Sequence, residues 1–219
     1  LETLNVGRAG LSLSSLALTE DMIEAAVNFS DGAENDNVLI GQMMEEMSGA
    51  FPASYEMIGI FDTKGSDARM ESAIGKFMNS EILHRSILCS EGIHSANSQT
   101  FKFDVEKKKR DARILNIYEG TNEIQRFLII KDLIEQLSKK EYSPMVSAKS
   151  SPELKQWNNL RKLLLDMVKK VKKDIGSKAW MDSQLQPVFF FLSEVAGWLN
   201  FTGGAIWRLM DIESEKDHV

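Results

Sequence analysis

The sequence predicts an all-α protein: a four-helix bundle followed by an appended helical hairpin. Three observations carry that prediction. Apolar residues recur at three- and four-residue spacing through six segments. Alternating apolar runs are few, and the 219 residues include only four prolines. The length suits one domain with a real core, or one and a half.

The first segment runs from about Asn5 to Phe29, with Leu11, Leu18, Met22, Ala25 and Ala26 near one face. Ser30 to Asn37 is polar and acidic, contains Gly32 and reads as a loop. The second segment places Ile40, Met43, Met44, Met47, Phe51, Tyr55 and Ile58 at helical spacing, so Met43, Met44 and Met47 are expected in the core or lining an apolar groove. Pro52 lies inside this segment and is expected to kink or break it. Asp62 to Asp67 reads as a turn, with Ser66 or Asp67 capping the third segment. That segment carries Met70, Ile74, Phe77, His84 and Leu88. Glu91 to Lys109 looks irregular and increasingly basic. The fourth segment starts after Gly120, with Thr121 as N-cap and Glu123 favourably placed at the positive end of the helix dipole. It carries Ile124, Phe127, Leu128, Ile134 and Leu137.

Ser138 to Ser151 reads as a linker. Ser151-Pro152-Glu153 is a strong helix start, with a capping Ser, a Pro at the first position and an acid next. Leu154, Trp157, Leu160, Leu164, Val168, Val171 and Ile175 follow at helical spacing. A last apolar helix spans about Ser183 to Met210 and is expected to bend at Gly203-Gly204, and Glu213 to Val219 is expected to fray. The expected organisation is therefore a bundle over 1–138, a linker over 139–151 and a helical hairpin over 152–212.

Composition narrows the function. A formal charge of −6 disfavours a general nucleic-acid surface. The single cysteine, Cys89, excludes a disulfide framework within the chain and fits a reducing compartment. Pro187 to Met210 is interrupted by Glu194, Asn200, two glycines and Arg208, and reads poorly as a membrane span. The chain opens at Leu1 in an already helical pattern, so a piece of a longer protein is expected. No metal site is expected: His84 reads as a packing residue, and His94 has no second ligand at metal spacing.

The stretch Tyr118-Glu119-Gly120-Thr121 concentrates chemistry. A carboxylate acts as a general base when it is held in a dry site with its pKa raised by burial. Glu119 offers such a base. Gly120 lets a substrate approach the backbone, and the Thr121 hydroxyl and the amides of a helix start can bind polar or anionic groups. From spacing alone, such a tetrapeptide at a helix start is more often only a capping motif.

From Arg110 to Arg126, Arg-Asp-Ala-Arg-Ile-Leu-Asn-Ile-Tyr-Glu-Gly-Thr-Asn-Glu-Ile-Gln-Arg closely resembles the signature of the flavin-dependent acyl-CoA dehydrogenases. Leu4-Asn5-Val6-Gly7-Arg8, Ala73-Ile74-Gly75-Lys76-Phe77 with Glu81, and Val105-Glu106 extend the resemblance over about residues 1–138. It implies Glu119 as the base and Asn5 and Arg8 at the coenzyme A part of the substrate. It further implies Gly120 at the substrate, and Thr121, Asn122 and Glu123 at the cofactor. The implied cofactor is FAD, which supplies the acceptor for the β-hydride that no side chain can provide. The implied reaction turns an acyl-CoA into a trans-2-enoyl-CoA in fatty acid β-oxidation, with electron-transfer flavoprotein as electron acceptor. A homodimer or homotetramer in a bacterial cytoplasm or a mitochondrial matrix is also implied. The appended helices resemble those of the very-long-chain subgroup, where the region supports dimers and contacts a membrane surface.

Two segments depart from the family pattern. Where relatives carry Arg-x-x-Phe-Gly, which reaches the flavin nucleotide of a neighbouring subunit, this chain has Asp31 to Val38 with three acids and neither the Arg nor the Phe. Where relatives carry Gln-x-x-Gly-Gly-x-Gly, it has Gly92-Ile93-His94-Ser95-Ala96-Asn97-Ser98. Added negative charge repels a pyrophosphate, and lost glycines hinder backbone approach to it. A second reading follows: a catalytically degenerate relative with a structural or assembly role. Lys107 to Arg110 lies inside the family segment and is expected to be structural or to face coenzyme A. Lys162, Lys169, Lys170, Lys172, Lys173 and Lys178, with Phe189, Phe190, Phe191 and Trp198, suggest either a solvated face or a contact with a membrane surface or partner.

Overall fold

A computed structural model describes residues 2–64, 68–139, 151–175 and 183–216. These are helical, with no strand among them: α1 (Glu2–Phe29), α2 (Glu34–Lys64), α3 (Arg69–His94), α4 (Val105–Ala112), α5 (Asn122–Lys139), α6 (Pro152–Ile175) and α7 (Gln186–Lys216). The expected all-α class is the observed one. The expected caps Ser66 and Asp67, most of the linker, Lys178 and the last three residues lie outside the described residues. Contacts divide the chain into two compact units, residues 1–122 and residues 123–219.

In the first unit, α1, α2 and α3 pack against one another, and α4 packs on α3. Helix α3 is the centre: Ser72 to Ser80 are nine consecutive buried residues, so this stretch is enclosed on every side. Close approach makes that possible. A Cβ on Gly75 would lie 2.7 Å from the Ser12 hydroxyl of α1 and 3.0 Å from the Met57 sulfur of α2. The buried face of α1 runs Asn5, Arg8, Ser12, Ser15, Thr19, Met22, Ala26, at three-four spacing but mostly polar and small. The hydroxyls are satisfied within the protein: Ser15 donates to Leu11 O and Thr19 to Ser15 O. The Asn79 amide nitrogen ties the three helices together through Ser12 O, Ser12 Oγ and Ser54 Oγ at 3.2, 2.8 and 3.0 Å. Farther along, Met22, Ala26, Met43, Leu83, Ile87, Ile93, Val105, Ala112 and Leu115 form an apolar cluster. Each large side chain fully buried there is worth about 1.5–3 kcal/mol.

Several sequence expectations are corrected. Pro52 does not end α2, which runs unbroken from Glu34 to Lys64; the carbonyl it leaves without a donor belongs to Ser48, an exposed residue whose surroundings admit water. The apolar stripe expected to bury α2 points largely outward: Met44, Phe51 and Tyr55 are exposed and Met47 is half-buried. The buried face instead uses Met43, Ala50, Ala53, Ser54 and Met57, because small residues let helices approach closely. Leu88 on α3 is exposed. The Ser30 to Asn37 loop is shorter than expected, since α2 begins at Glu34. Glu91 to Lys109 is mostly ordered as the end of α3, a 3-10 turn at Ser95–Gln99 and the start of α4. The Lys107 to Arg110 run is ion-paired on α4, with Lys108 on Asp21 at 2.6 Å, Lys109 on Glu91 at 2.7 Å and Arg110 on Glu106.

Ser95 closes α3 at φ 48°, ψ −129°, a region that suits glycine. Serine is strained there by about 1–3 kcal/mol, offset in part by its hydroxyl bond to Gly92 O at 3.2 Å. Ser95→Gly is therefore expected to raise stability by about 1 kcal/mol, read as a higher urea midpoint at unchanged m-value.

In the second unit, Ser151 caps α6: the Leu154 amide donates to Ser151 Oγ at 3.1 Å, as the Ser-Pro-Glu start requires. The Glu153 carboxyl is held below its usual range by a hydrogen bond from its own backbone amide and by Ser151. Trp157, Leu164, Leu165 and Val168 of α6 pack with Phe189, Leu192, Leu199 and Phe201 of α7. Leu160, expected on that face, is exposed with Leu163 and Met167. Helix α7 passes through Gly203-Gly204 without ending. The reason for Gly203 is contact: a Cβ there would sit 2.8 Å from the Trp157 ring. Helix α5 meets α7 through Phe127 against Phe189 and Phe190, and through Arg126 beside Glu194 at 3.6 Å.

Candidate active site

Two backbone features mark the Glu119 turn. Glu119 has φ 57° and Gly120 φ 93°, so two successive residues are left-handed. Glycine adopts this at no cost; a glutamate does so only where its surroundings impose it. The turn follows a 3-10 segment, Arg113–Asn116, and precedes α5. Leu115 anchors it in the core.

Helix α1 meets the turn from one side. Arg8 donates through Nε to the Glu119 carbonyl at 3.3 Å and through Nη1 to Asn5 Oδ1 at 3.2 Å. Both Asn5 and Arg8 are buried, and the polar face of α1 thus ends on the turn. The Glu119 carboxylate itself lies against Gly7. A Cβ on Gly7 would be 2.5 Å from Glu119 Oε1 and 2.6 Å from its Cδ, so the carboxylate fills the space that a side chain would take. Glu119, Gly120 and Thr121 are half-buried.

Helix α3 meets the turn through Lys76. Its ammonium, 0% exposed, donates to the Gly120 carbonyl at 3.0 Å and to Asn122 Oδ1 at 2.7 Å. The Asn122 amide nitrogen donates to Ser80 Oγ at 3.0 Å and Glu81 Oε1 at 2.7 Å. The side chain of Asn122, expected at the cofactor, is thus engaged inside the first unit. Next to this network burial pushes the His84 imidazole below its usual range, with Glu81 opposing and Arg113 reinforcing the shift.

The structure therefore gathers Asn5, Arg8, Glu119, Gly120 and Asn122 around one turn, with Thr121 next in the chain. Glu123 is exposed in the first turn of α5 and belongs to the second unit. Sequence reading missed Gly7 and Lys76 as parts of the site. A lysine among small and apolar residues in the middle of a buried helix was the available signal for Lys76. Among the described residues, no three His, Cys, Asp or Glu side chains gather as a metal would need, and no helix is long and apolar enough to cross a membrane.

In the two departing segments, polar groups that could meet a flavin pyrophosphate are engaged locally. Asp31 accepts from the Ala33 amide at 3.2 Å, Asp36 accepts from Ser30 at 2.9 Å, and Glu34 and Asp36 occupy the first turn of α2. The positive end of that helix is already matched by carboxylates. In the 3-10 turn, Ser98 donates to Ser95 O and Thr100 to Asn97 O, so the hydroxyls are turned onto their own backbone. These segments do not fit a pyrophosphate.

A family model described as "Acyl-CoA dehydrogenase, C-terminal domain" matches residues 1–134. The chain is 26% identical over 146 residues to the caffeyl-CoA reductase-Etf complex subunit CarC of Acetobacterium woodii, covering 62% of this chain and 38% of that protein. It is 28% identical over 144 residues to an acyl-CoA dehydrogenase of Bacillus subtilis, covering 61% of this chain and again 38% of the relative. The chain thus spans well under half the length of these curated relatives. The crystal structure of an acyl-CoA dehydrogenase complexed with FAD from Bacillus anthracis matches 96% of this chain and 43% of its own, at 18% identity and a TM-score of 0.84. That likeness of fold extends beyond residue 134 into the appended helices.

Proposed function

The chain belongs to the acyl-CoA dehydrogenase family through its C-terminal domain, and from that premise we propose that it supplies the base for dehydrogenation of an acyl-CoA thioester to a trans-2-enoyl-CoA. Glu119 is that base. The observation that carries the reading is the placement of its carboxylate over Gly7, in a left-handed turn with the Glu119 carbonyl held by Arg8. A base contributes when its oxygen is fixed where the proton will be, and a positioned carboxylate is worth about 10²–10⁴-fold. Gly120 exposes backbone beside it for the thioester, and Asn5 and Arg8 serve the coenzyme A side. Thr121, Asn122 and Glu123 form the cofactor edge, with Asn122 acting through its backbone because its amide is engaged with α3.

The family's hydride acceptor is FAD; the Thr121 to Glu123 edge would face it, whereas Asp31 to Asp36 and Ser95 to Ser98 do not fit its pyrophosphate. The chain's own chemistry is the proton transfer: the α-carbon gives its proton to Glu119. The naming of one relative as a subunit of an Etf complex supports electron-transfer flavoprotein as partner. We place the functional division near residue 138, in keeping with the family match ending at 134. A homodimer or homotetramer, a role in β-oxidation, and a site in bacterial cytoplasm or mitochondrial matrix complete this reading. The exposed Leu160, Leu163 and Met167 of α6, beside Lys162, Lys169 and Lys170, support contact of the appended helices with a membrane surface.

A second reading is favoured by the acid-capped start of α2 and the serine at the strained end of α3: a structural or assembly relative that keeps the turn without holding flavin. One experiment separates the two. The product of the whole gene, including any residues before Leu1, is purified and mixed with acyl-CoA. A yellow protein that bleaches supports catalysis. A colourless protein with an intact oligomer supports the structural role.

A further inference from the structure

We infer that Lys76 is a positioning residue for the Glu119 carboxylate, acting through the carbonyl of Gly120. Two successive left-handed residues, Glu119 and Gly120, are an unfavourable backbone choice unless something outside the turn fixes them. Two cations from two helices supply that constraint. Arg8 of α1 grips the carbonyl of Glu119 at 3.3 Å, and Lys76 of α3 grips the carbonyl of Gly120 at 3.0 Å. The same ammonium holds Asn122 Oδ1 at 2.7 Å, on the far side of Gly120 and Thr121. Asn122 is held in turn by Ser80 and Glu81, one turn farther along α3.

The burial of Lys76 is the second part of the argument. It is fully enclosed, between Gly75 and Phe77 within the nine consecutive buried residues of α3. Burying an ammonium is costly, and a helix interior needing only volume is better served by methionine. An ammonium has three donors and no acceptor, so it suits a place where oxygens converge. The oxygens here belong to the two residues that bracket Thr121 in the turn. With both carbonyl oxygens pinned, the direction in which the Glu119 side chain leaves the backbone is set, and it points at the space over Gly7.

The positioning role rests on Glu119 as base, but the geometry can be tested without catalysis. In the 219-residue chain, the ¹⁵N-labelled Lys76 ammonium is expected to give a protected signal with slow hydrogen exchange, unlike surface lysines such as Lys107. An ammonium exchanging as fast as those overturns the proposal. In Lys76→Met, the HN–Hα coupling and Cα shift of Glu119 are expected to lose their positive-φ signature while signals of Met22, Leu83 and Ile87 stay in place. A retained signature overturns the proposal. Should Lys76→Met fail to fold, Asn122→Leu, which removes one of the two grips, is expected to weaken the same signature and speed exchange of the Lys76 ammonium; no change in either contradicts the clamp.

The catalytic arm uses the whole gene product. Lys76→Met is expected to lower kcat about 100-fold at similar KM, with no further loss when combined with Glu119→Gln. Additive losses overturn the positioning role. If Glu119→Gln alone leaves the rate unchanged, the reading of Glu119 as base fails, while the resonance measurements still decide the clamp.

Discussion

On the proposed role of Glu119, Gly7→Ala in the whole gene product is expected to lower the rate of α-proton removal by about 100-fold while leaving the helical fold as stable as before, or slightly more stable. The two halves of this result come from different atoms. The new methyl meets the Glu119 carboxylate at 2.5–2.6 Å, closer than atoms tolerate. That carboxylate is the far end of a flexible side chain, so it moves aside and the helix does not. Within α1, alanine also gains up to about 1 kcal/mol over glycine. A base displaced by about 1 Å loses on the order of 10²-fold in rate. The check is a thermal melt beside a rate measurement on the same variant. A lowered melting temperature with an unchanged rate contradicts the placement of the carboxylate over Gly7.

Trp157→Ala destabilises the second unit by about 3–5 kcal/mol, the largest stability effect expected from a single change there. The indole is buried between α6 and α7, and its Nε1 donates to Leu199 O at 2.7 Å. Gly203 faces the same ring, so Gly203→Ala forces a methyl to within 2.8 Å of Cζ2 in a ring that is already tied down. That costs about 1–3 kcal/mol. In the Trp157→Ala background the methyl fills vacated space, and Gly203→Ala becomes neutral or favourable. Chemical unfolding of the four proteins of this cycle reads the coupling; strictly additive losses contradict the packing.

The helical class was legible in the sequence because it rests on periodicity, and the start of α6 because Ser151, Pro152 and Glu153 each act locally. Which stripe of a helix faces inward was less legible. In α2 the large residues Met44, Phe51 and Tyr55 have the spacing of a core face, yet the buried face is built on Ala50, Ala53 and Ser54. In α1 the middle of the buried face is Ser12, Ser15 and Thr19, invisible to a reading that equates burial with apolar character, whereas Met22 and Ala26 farther along were legible. Both follow from one cause: α3 is approached so closely on several sides that small residues serve where large ones do not fit. Glu119 stood out because its neighbours form a long family signature. Gly7 and Lys76 act on it from 112 and 43 positions earlier in the chain, and only the fold brings them to the turn.

The most direct measurement is α-proton exchange of a saturated acyl-CoA in deuterated water, catalysed by the whole gene product and followed by loss of the α-proton resonance. It reads proton removal and does not require turnover to product. With Glu119 as base, Glu119→Gln is predicted to slow exchange by about 10²–10⁴-fold with the helical fold unchanged. Exchange in Glu119→Gln at the rate of the unaltered protein contradicts the account.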